Sequence, residues 1–191
     1  MNFTNEIFRK LIHLAYILIP ISYYFQTKSE FLTWFVPFAF LCLAIDLLRL
    51  KVKTVREIFD SLFGKMLRGA EQKRLTNASL FIFATLITIL VFEDKFVVVA
   101  GNSVAVISDT LSALLGRKFG KKKIFKQKSW VGSISFLVSS FVTIYAFPES
   151  NLTIAFCGAL MGTLTEIFSD KIPDDFTIPL IVSSVLFLLT L

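Results

Sequence analysis

The residues best suited to chemistry gather in the segment Ser108–Ser133. It leaves an apolar stretch through one acid, Asp109, and then passes Gly116, Gly120, seven Lys/Arg and the pair Lys128-Ser129 before apolar sequence resumes. An acid within an apolar segment is costly and usually lines a functional cavity. A cationic loop with glycines directly after it suits a polyphosphate, because glycine lets backbone approach closely and lysine supplies compact positive charge. Lys121, Lys122, Lys123 and Lys128 are the candidate phosphate ligands, with Ser129 and the amides near Gly132 as further donors. Carboxylates such as Asp109 and Asp174 suit Mg²⁺, which takes one or two of them together with phosphate oxygens. The loop is not a Walker A motif. Only three residues separate Gly116 from Gly120, and no Lys-Ser/Thr follows directly. Zinc-ligand spacing, a GxSxG elbow and a Cys/His nucleophile pair are also missing from the sequence.

The other ionisable residues fall at the ends of apolar segments. Glu6, Arg9, Lys10 and His13 follow the i, i+3, i+4, i+7 pattern of one helix face. Asp46 and Arg49 close the second apolar segment, and Arg68, Glu71 and Arg74 precede the third. Asn102, Asp109, Ser112 and Gly116 share a face of the fourth, and Thr110 follows Asp109 in the same segment. Glu166 and Asp170 end the sixth, and Asp174-Asp175 open the seventh. Asp46 with Arg49 reads equally as a helical ion pair or as part of a site. His13 reads as an interhelical hydrogen-bonder or as a catalyst, and either Glu166 or His13 could act on a substrate hydroxyl.

The elements that must position these residues are apolar helices. The 191-residue chain is 55% hydrophobic, with a mean hydropathy of +0.72. Its apolar residues cluster into seven blocks, 11–25, 31–48, 76–92, 96–115, 130–147, 152–168 and 176–191. A crossing helix needs about 20 apolar residues, with about 17 still workable. The sequence thus predicts an all-α polytopic membrane protein of about seven spans in one domain over residues 1–191, with six or eight as alternatives. Its cytoplasmic loops are expected at about 49–75 and 116–129. Of the 20 Lys/Arg, all but Lys28 and Lys95 fall on one side of those spans. The positive-inside rule then places the N-terminus and the polar cluster in the cytoplasm and Leu191 outside. This distribution points away from nucleic acid as the partner of the +6 net charge. Val55, Ile58, Phe59, Leu62, Phe63 and Met66 recur at helical spacing among charges. They predict an amphipathic helix that lies on the inner leaflet or on the protein's own cytoplasmic face. Cys42 and Cys157 sit in apolar blocks as packing residues.

Taken in order, these motifs resemble those of the CTP-dependent lipid-alcohol kinases, the family of dolichol kinase, phytol/farnesol kinase and yeast-type diacylglycerol kinase. An E-x-x-R-K-x-x-H start is matched by Glu6, Arg9, Lys10 and His13, and a D-x-x-R by Asp46 and Arg49. An E-x-x-x-L-T-x-A-S segment is matched by Glu71, Leu75, Thr76, Ala78 and Ser79. The core D-T-x-A…G-x-x-x-G-K…K-S-x-x-G-S is matched by Asp109-Thr110, Ala113, Gly116, Gly120-Lys121, Lys128-Ser129 and Gly132-Ser133. The closing E…D-N-x-T-I-P is met by Glu166, Asp174-Asp175 and Thr177-Ile178-Pro179, with Asp175 standing where the family has Asn. The resemblance implies phosphoryl transfer from CTP, with Mg²⁺ as cofactor, to an isoprenoid alcohol or diacylglycerol drawn from the bilayer. It implies Asp109, Asp174 and Asp175 near the metal, and Arg9 and Lys10 among the nucleotide-binding residues. Nothing in the residues themselves separates CTP from ATP or fixes an oligomeric state. The related CTP:phosphatidate cytidylyltransferases use similar Asp and Lys-Ser loops, but the ending SDKIPDDFTIP lacks their P-G-H-G-G-x-x-D-R segment. A small transporter would explain the acids within spans but not the cationic glycine loop.

Overall fold

In the computed structural model, which describes residues 3–64, 71–126, 128–169 and 172–191, the first apolar block is broken into two helices rather than forming one continuous helix. Helix α1 (Phe3–Ala15) stops at a turn, and α2 (Leu18–Phe25) follows. Pro20 accounts for the break. It has no N–H for the carbonyl of Tyr16, and its ring disfavours a continuous helix through the preceding turn. Tightened bonds from Tyr16 N to His13 O and from Ile17 N to Leu14 O close the end of α1. Arg68, Met66 and Asp170, named above, lie outside the described residues.

Helix α3 (Lys28–Lys51) starts with a capping box between Thr27 and Glu30, which satisfies two of the orphan donors of its first turn. After Val52 the chain turns into the short amphipathic α4 (Lys53–Phe63). Helix α5 (Asn77–Val91) is capped by Thr76, whose side chain accepts from Ser79 N. Helix α6 (Lys95–Phe119) is capped by Asp94 and ends at Gly120. The cationic loop then departs from the all-α expectation. Strands β1 (Lys123–Phe125) and β2 (Lys128–Ser129) pair antiparallel, with Lys123 opposite Ser129. Ile124 and Phe125 favour a strand, and Lys126 adopts a left-handed turn conformation, φ 46°. Three apolar helices complete the chain, α7 (Trp130–Tyr145), α8 (Leu152–Phe168) and α9 (Asp174–Thr190).

Helix α6 is the axis of the bundle. It packs along α7 and α9, α8 closes on α7 and α9, α5 lies against α9, and α1 rests on α6. Close approach of α6 and α7 depends on Gly116 and Gly132. A Cβ on Gly116 would stand 3.2 Å from the Gly132 Cα, and one on Gly132 would stand 3.2 Å from the Ser112 carbonyl. Among the described residues, α3 and α6 are the two helices long and apolar enough to cross a membrane. They differ in surroundings, since 78% of the apolar stretch of α6 is buried against 22% of that of α3. Phe40, Leu41 and Ile45 of α3, with Ile134, Val138 and Val142 of α7, remain exposed. Apolar surface on that scale suits lipid better than water.

Candidate active site

The polar stripe of α1 folds inward. Glu6, Lys10 and His13 are buried against α6. Lys10 donates to the Asp109 carboxylate, so a cation from the first helix neutralises the acid of the fourth apolar block. His13 stands beside the same group, with Nε2 3.5 Å from Asp109 Oδ2 and 3.4 Å from the Ala105 carbonyl. On its other side Nδ1 is 3.4 Å from Asp175 Oδ1, in the first turn of α9. One ligand atom each from His13, Asp109 and Asp175 lie within 4.8 Å of one another. Three segments far apart in sequence thus converge on one buried point.

Two cavities open from it. The first is polar, about 530 Å³, and lies between α1, α6, α7, α8 and the start of α9. Five carboxylates line it (Glu6, Asp109, Glu166, Asp174 and Asp175), with four cations, Arg9, Arg117, Lys123 and Lys128. Lys128 bridges Glu166 Oε1 at 2.6 Å and Asp174 Oδ2 at 3.0 Å. Burial works against its charge, but Asp174, Glu166 and Asp109 outweigh that effect and raise its pKa above the ordinary lysine value. Arg117 reaches Glu6 Oε2 at 3.2 Å. Ser129 opens α7 by accepting from Gly132 N at 3.2 Å, which brings a helix N-terminus to the cavity wall, a favourable setting for an anion. Ser112 and Ser133 donate to Glu166 at 3.2 and 3.4 Å.

The second cavity is apolar, about 480 Å³, and is walled by α1, α3, α5 and the inner face of α4. Val55, Ile58, Phe59, Leu62 and Phe63 of α4 face Ile12, Tyr16, Ile45 and Ile82 across it. The amphipathic helix therefore roofs a cleft of the protein itself, and none of its described side chains is buried. His13 lines this cleft, while Arg9 and Asn77 line both cavities.

Asp46 and Arg49 stand at the cleft's edge as a closed structural clamp. Arg49 Nε donates to Asp46 Oδ1 at 2.5 Å, and its Nη2 donates to the carbonyls of Glu71 and Arg74 at 3.0 and 2.8 Å. Asp46 Oδ2 accepts from the N–H and hydroxyl of Thr76 at 2.7 and 3.0 Å. The guanidinium also lies 5.0 Å from the Phe59 ring centroid, which holds α4 in place. Removing one partner of a buried pair costs about 3–5 kcal/mol. Arg49→Ala should accordingly lower the thermal midpoint in detergent substantially, and Arg49→Lys should recover little of it, because an ammonium cannot reproduce the forked donors. An unchanged midpoint in Arg49→Ala would show that the clamp carries no stability.

Several expected residues stand elsewhere. Lys121 and Lys122 are exposed on the loop and do not line the polar cavity. Gly120 packs on Ser129, whose Oγ lies 2.2 Å from where its Cβ would stand. Lys10 is buried behind Asp109 rather than lining the cavity. Asn102 lies about 10 Å along α6 from Asp109 by helical rise, bonded to Thr85 and Thr88. Thr110 returns its hydroxyl to the Val106 carbonyl at 2.7 Å. Glu71 accepts from Asn77 N at 3.0 Å and lines the cleft. Conversely, Asn77 and Arg117 reach the site without having been singled out. The signals were present: Asn77 is an amide opening an apolar helix, and Arg117 adjoins Gly116.

The residues fit a divalent cation. With Lys10 committed to Asp109 and Lys128 to Glu166 and Asp174, Asp175 retains a buried Oδ1 without a hydrogen bond among the described residues. Four of the five carboxylate charges are already offset by the cavity's cations, and a magnesium ion held there would offset the carboxylate charge that remains beside a polyphosphate.

Compared with known proteins, the chain is 27% identical over 189 residues to an uncharacterized protein of Rickettsia prowazekii, covering 94% of this chain and 92% of that one. It is 26% identical over 208 residues to CTP-dependent diacylglycerol kinase 1 of Saccharomyces cerevisiae, covering 94% of this chain and 71% of the yeast protein. No family model matches the chain. No solved structure matches it either.

Proposed function

We propose that this chain is a membrane-embedded lipid kinase that passes the γ-phosphoryl group of a nucleoside triphosphate, CTP by resemblance, to the hydroxyl of a lipid alcohol. The observation that carries the reading is the junction itself: a charged polar cavity and an apolar cleft share Arg9 and Asn77 as walls, with His13, Asp109 and Asp175 between them. Distant similarity to a CTP-dependent diacylglycerol kinase supports the same class of reaction.

The triphosphate enters the polar cavity, where Lys128, Lys123, Arg117 and the N-terminus of α7 hold its charge. Asp109 and Asp175, with Asp174 close by, would hold Mg²⁺, whose charge neutralises the transferring phosphoryl group when bound. Phosphoryl transfer needs chiefly positioning and charge neutralisation, which is what this arrangement supplies. The acceptor chain, an isoprenoid alcohol or diacylglycerol, lies in the cleft beneath α4 with its hydroxyl toward His13. His13 rather than Glu166 serves that hydroxyl, since Glu166 is bonded to Lys128, Ser112 and Ser133 within the polar cavity. With its Nδ1 proton toward Asp175, His13 has Nε2 as the basic nitrogen. In this tautomer the Nε2 lone pair, 3.4 Å from the Ala105 oxygen and 3.5 Å from Asp109 Oδ2, is the one that takes the hydroxyl proton. As the acceptor oxygen bonds to phosphorus, the bond from phosphorus to the β-phosphate oxygen breaks. The nucleoside diphosphate leaves, and the hydroxyl proton passes to Nε2.

The topology that accompanies this reading has about seven spans, with the N-terminus and site cytoplasmic and Leu191 outside. Its support is the one-sided distribution of Lys and Arg.

Purified protein supplied with γ-labelled CTP or ATP and a panel of lipid alcohols should yield labelled lipid and unlabelled diphosphate. Cytidine retained on the lipid, with pyrophosphate released, would establish the cytidylyltransferase reading instead. No labelled lipid with any nucleotide would overturn the kinase.

A further inference from the structure

Besides the Asp175 Oδ1 that suits a cation, two buried polar atoms at the junction have no hydrogen-bond partner among the described residues, the Nε–H of Arg9 and the Oδ1 of Asn77. Their residues are the ones that line both cavities. Other contacts fix how each side chain is held. Arg9 donates Nη2 to Glu6 Oε1 at 2.6 Å, leaving Nε uncommitted. Asn77 donates Nδ2 to the Asp175 carboxylate, and its backbone N–H goes to Glu71 at 3.0 Å. With Asp175 ionised, as binding a magnesium ion requires, its carboxylate only accepts, so the amide nitrogen faces Asp175 and the amide oxygen is the atom left over.

What remains is one donor and one acceptor, each buried on a residue that lines both the charged cavity and the apolar cleft. Leaving such groups unpaired is unfavourable, so the pair calls for a ligand group that accepts and donates at once. An ionised phosphate oxygen satisfies Arg9 but repels Asn77 Oδ1, because it has no proton to give. A hydroxyl satisfies both.

We propose that Arg9 Nε and Asn77 Oδ1 together hold the hydroxyl group of the lipid acceptor, with Arg9 donating to its oxygen and Asn77 accepting its proton. The proposal rests on the lipid-kinase reading, and it moves Arg9 from the nucleotide to the acceptor. It also gives Asn77 a role as a specificity residue: a lipid lacking a free hydroxyl leaves Oδ1 unsatisfied. The proton stays on the hydroxyl, directed at Asn77, until the oxygen engages phosphorus, and then passes to His13.

The test is binding of tritiated farnesol to the purified protein in detergent, competed by unlabelled farnesol or by farnesyl methyl ether. The ether keeps the accepting oxygen and loses the proton. Wild-type protein should prefer the alcohol by about tenfold, the worth of one hydrogen bond, and Asn77→Leu protein that keeps a cooperative thermal transition should bind the two equally. No preference in wild type, as a junction filled by water alone would give, or a preference that survives Asn77→Leu, overturns the proposal. Should Asn77→Leu fail to fold, Arg9→Lys decides. It keeps the charge beside Glu6 but removes Nε, so it should weaken alcohol and ether alike and preserve their ratio. Unchanged binding of both would be contrary. Alcohol-selective binding without phosphoryl transfer would sink the kinase reading and leave the hydroxyl grip standing.

Discussion

Asp109→Asn is expected to abolish phosphoryl transfer and also to cost stability, and a second substitution separates the two effects. Asparagine keeps the volume of the side chain and removes its charge. Several kcal/mol of charge stabilisation at a transferring phosphoryl group depends on a properly held cation, which corresponds to a fall in rate of about 10²-fold or more. The same substitution strips Lys10 of its buried partner, a loss in the range of about 3–5 kcal/mol. Lys10→Met in the same chain removes the orphaned cation and leaves a flexible apolar side chain of similar length. Thermal stability should therefore return in the double variant while transfer stays absent. If transfer returned together with stability, Asp109 would be no more than a counter-ion for Lys10.

Much of this site was legible because its residues are local. Asp109, Ser112 and Gly116 fall on one face of α6 by spacing alone, and Glu6, Arg9, Lys10 and His13 do the same on α1. Acids within apolar segments mark Asp109 and Glu166, and Asp174-Asp175 stand just before the last such segment. The pairings were not legible, because they join segments far apart: Lys10 with Asp109, Asp46 with Thr76, Lys128 with Glu166. Sequence spacing carries no information about which cation meets which carboxylate across a bundle. It is for this reason that Lys121 and Lys122 looked equivalent to Lys128, although the hairpin turns only part of the loop inward.

The helices themselves were legible as apolar blocks, but their limits were set by single residues. Pro20 splits the first block. Thr76, Ser129 and Asn151 serve as caps, so α5, α7 and α8 run 15, 16 and 17 residues, below or at the lower limit of about 17 needed to cross hydrocarbon. The amphipathic pattern of α4 was equally readable, yet periodicity is the same whether an apolar face meets lipid or a cleft. The cleft formed with α1, α3 and α5 is a feature of the fold that the spacing could not show. Asn77 escaped notice because an isolated amide at a helix start is an ordinary capping residue. Its significance comes from Asp175, which it meets from 98 positions away.

The central claim is that phosphoryl transfer takes place where the two cavities meet, and His13→Gln tests it most directly. Glutamine fills similar space and keeps hydrogen-bonding atoms, but it cannot take up a proton. Single-turnover transfer from γ-labelled nucleotide to a lipid alcohol, with both substrates saturating, isolates the chemical step from binding. The rate should fall roughly 10²–10⁴-fold while nucleotide and alcohol each bind as they do to wild type. A His13→Gln protein that transfers phosphoryl at the wild-type rate would place the reaction somewhere other than this junction.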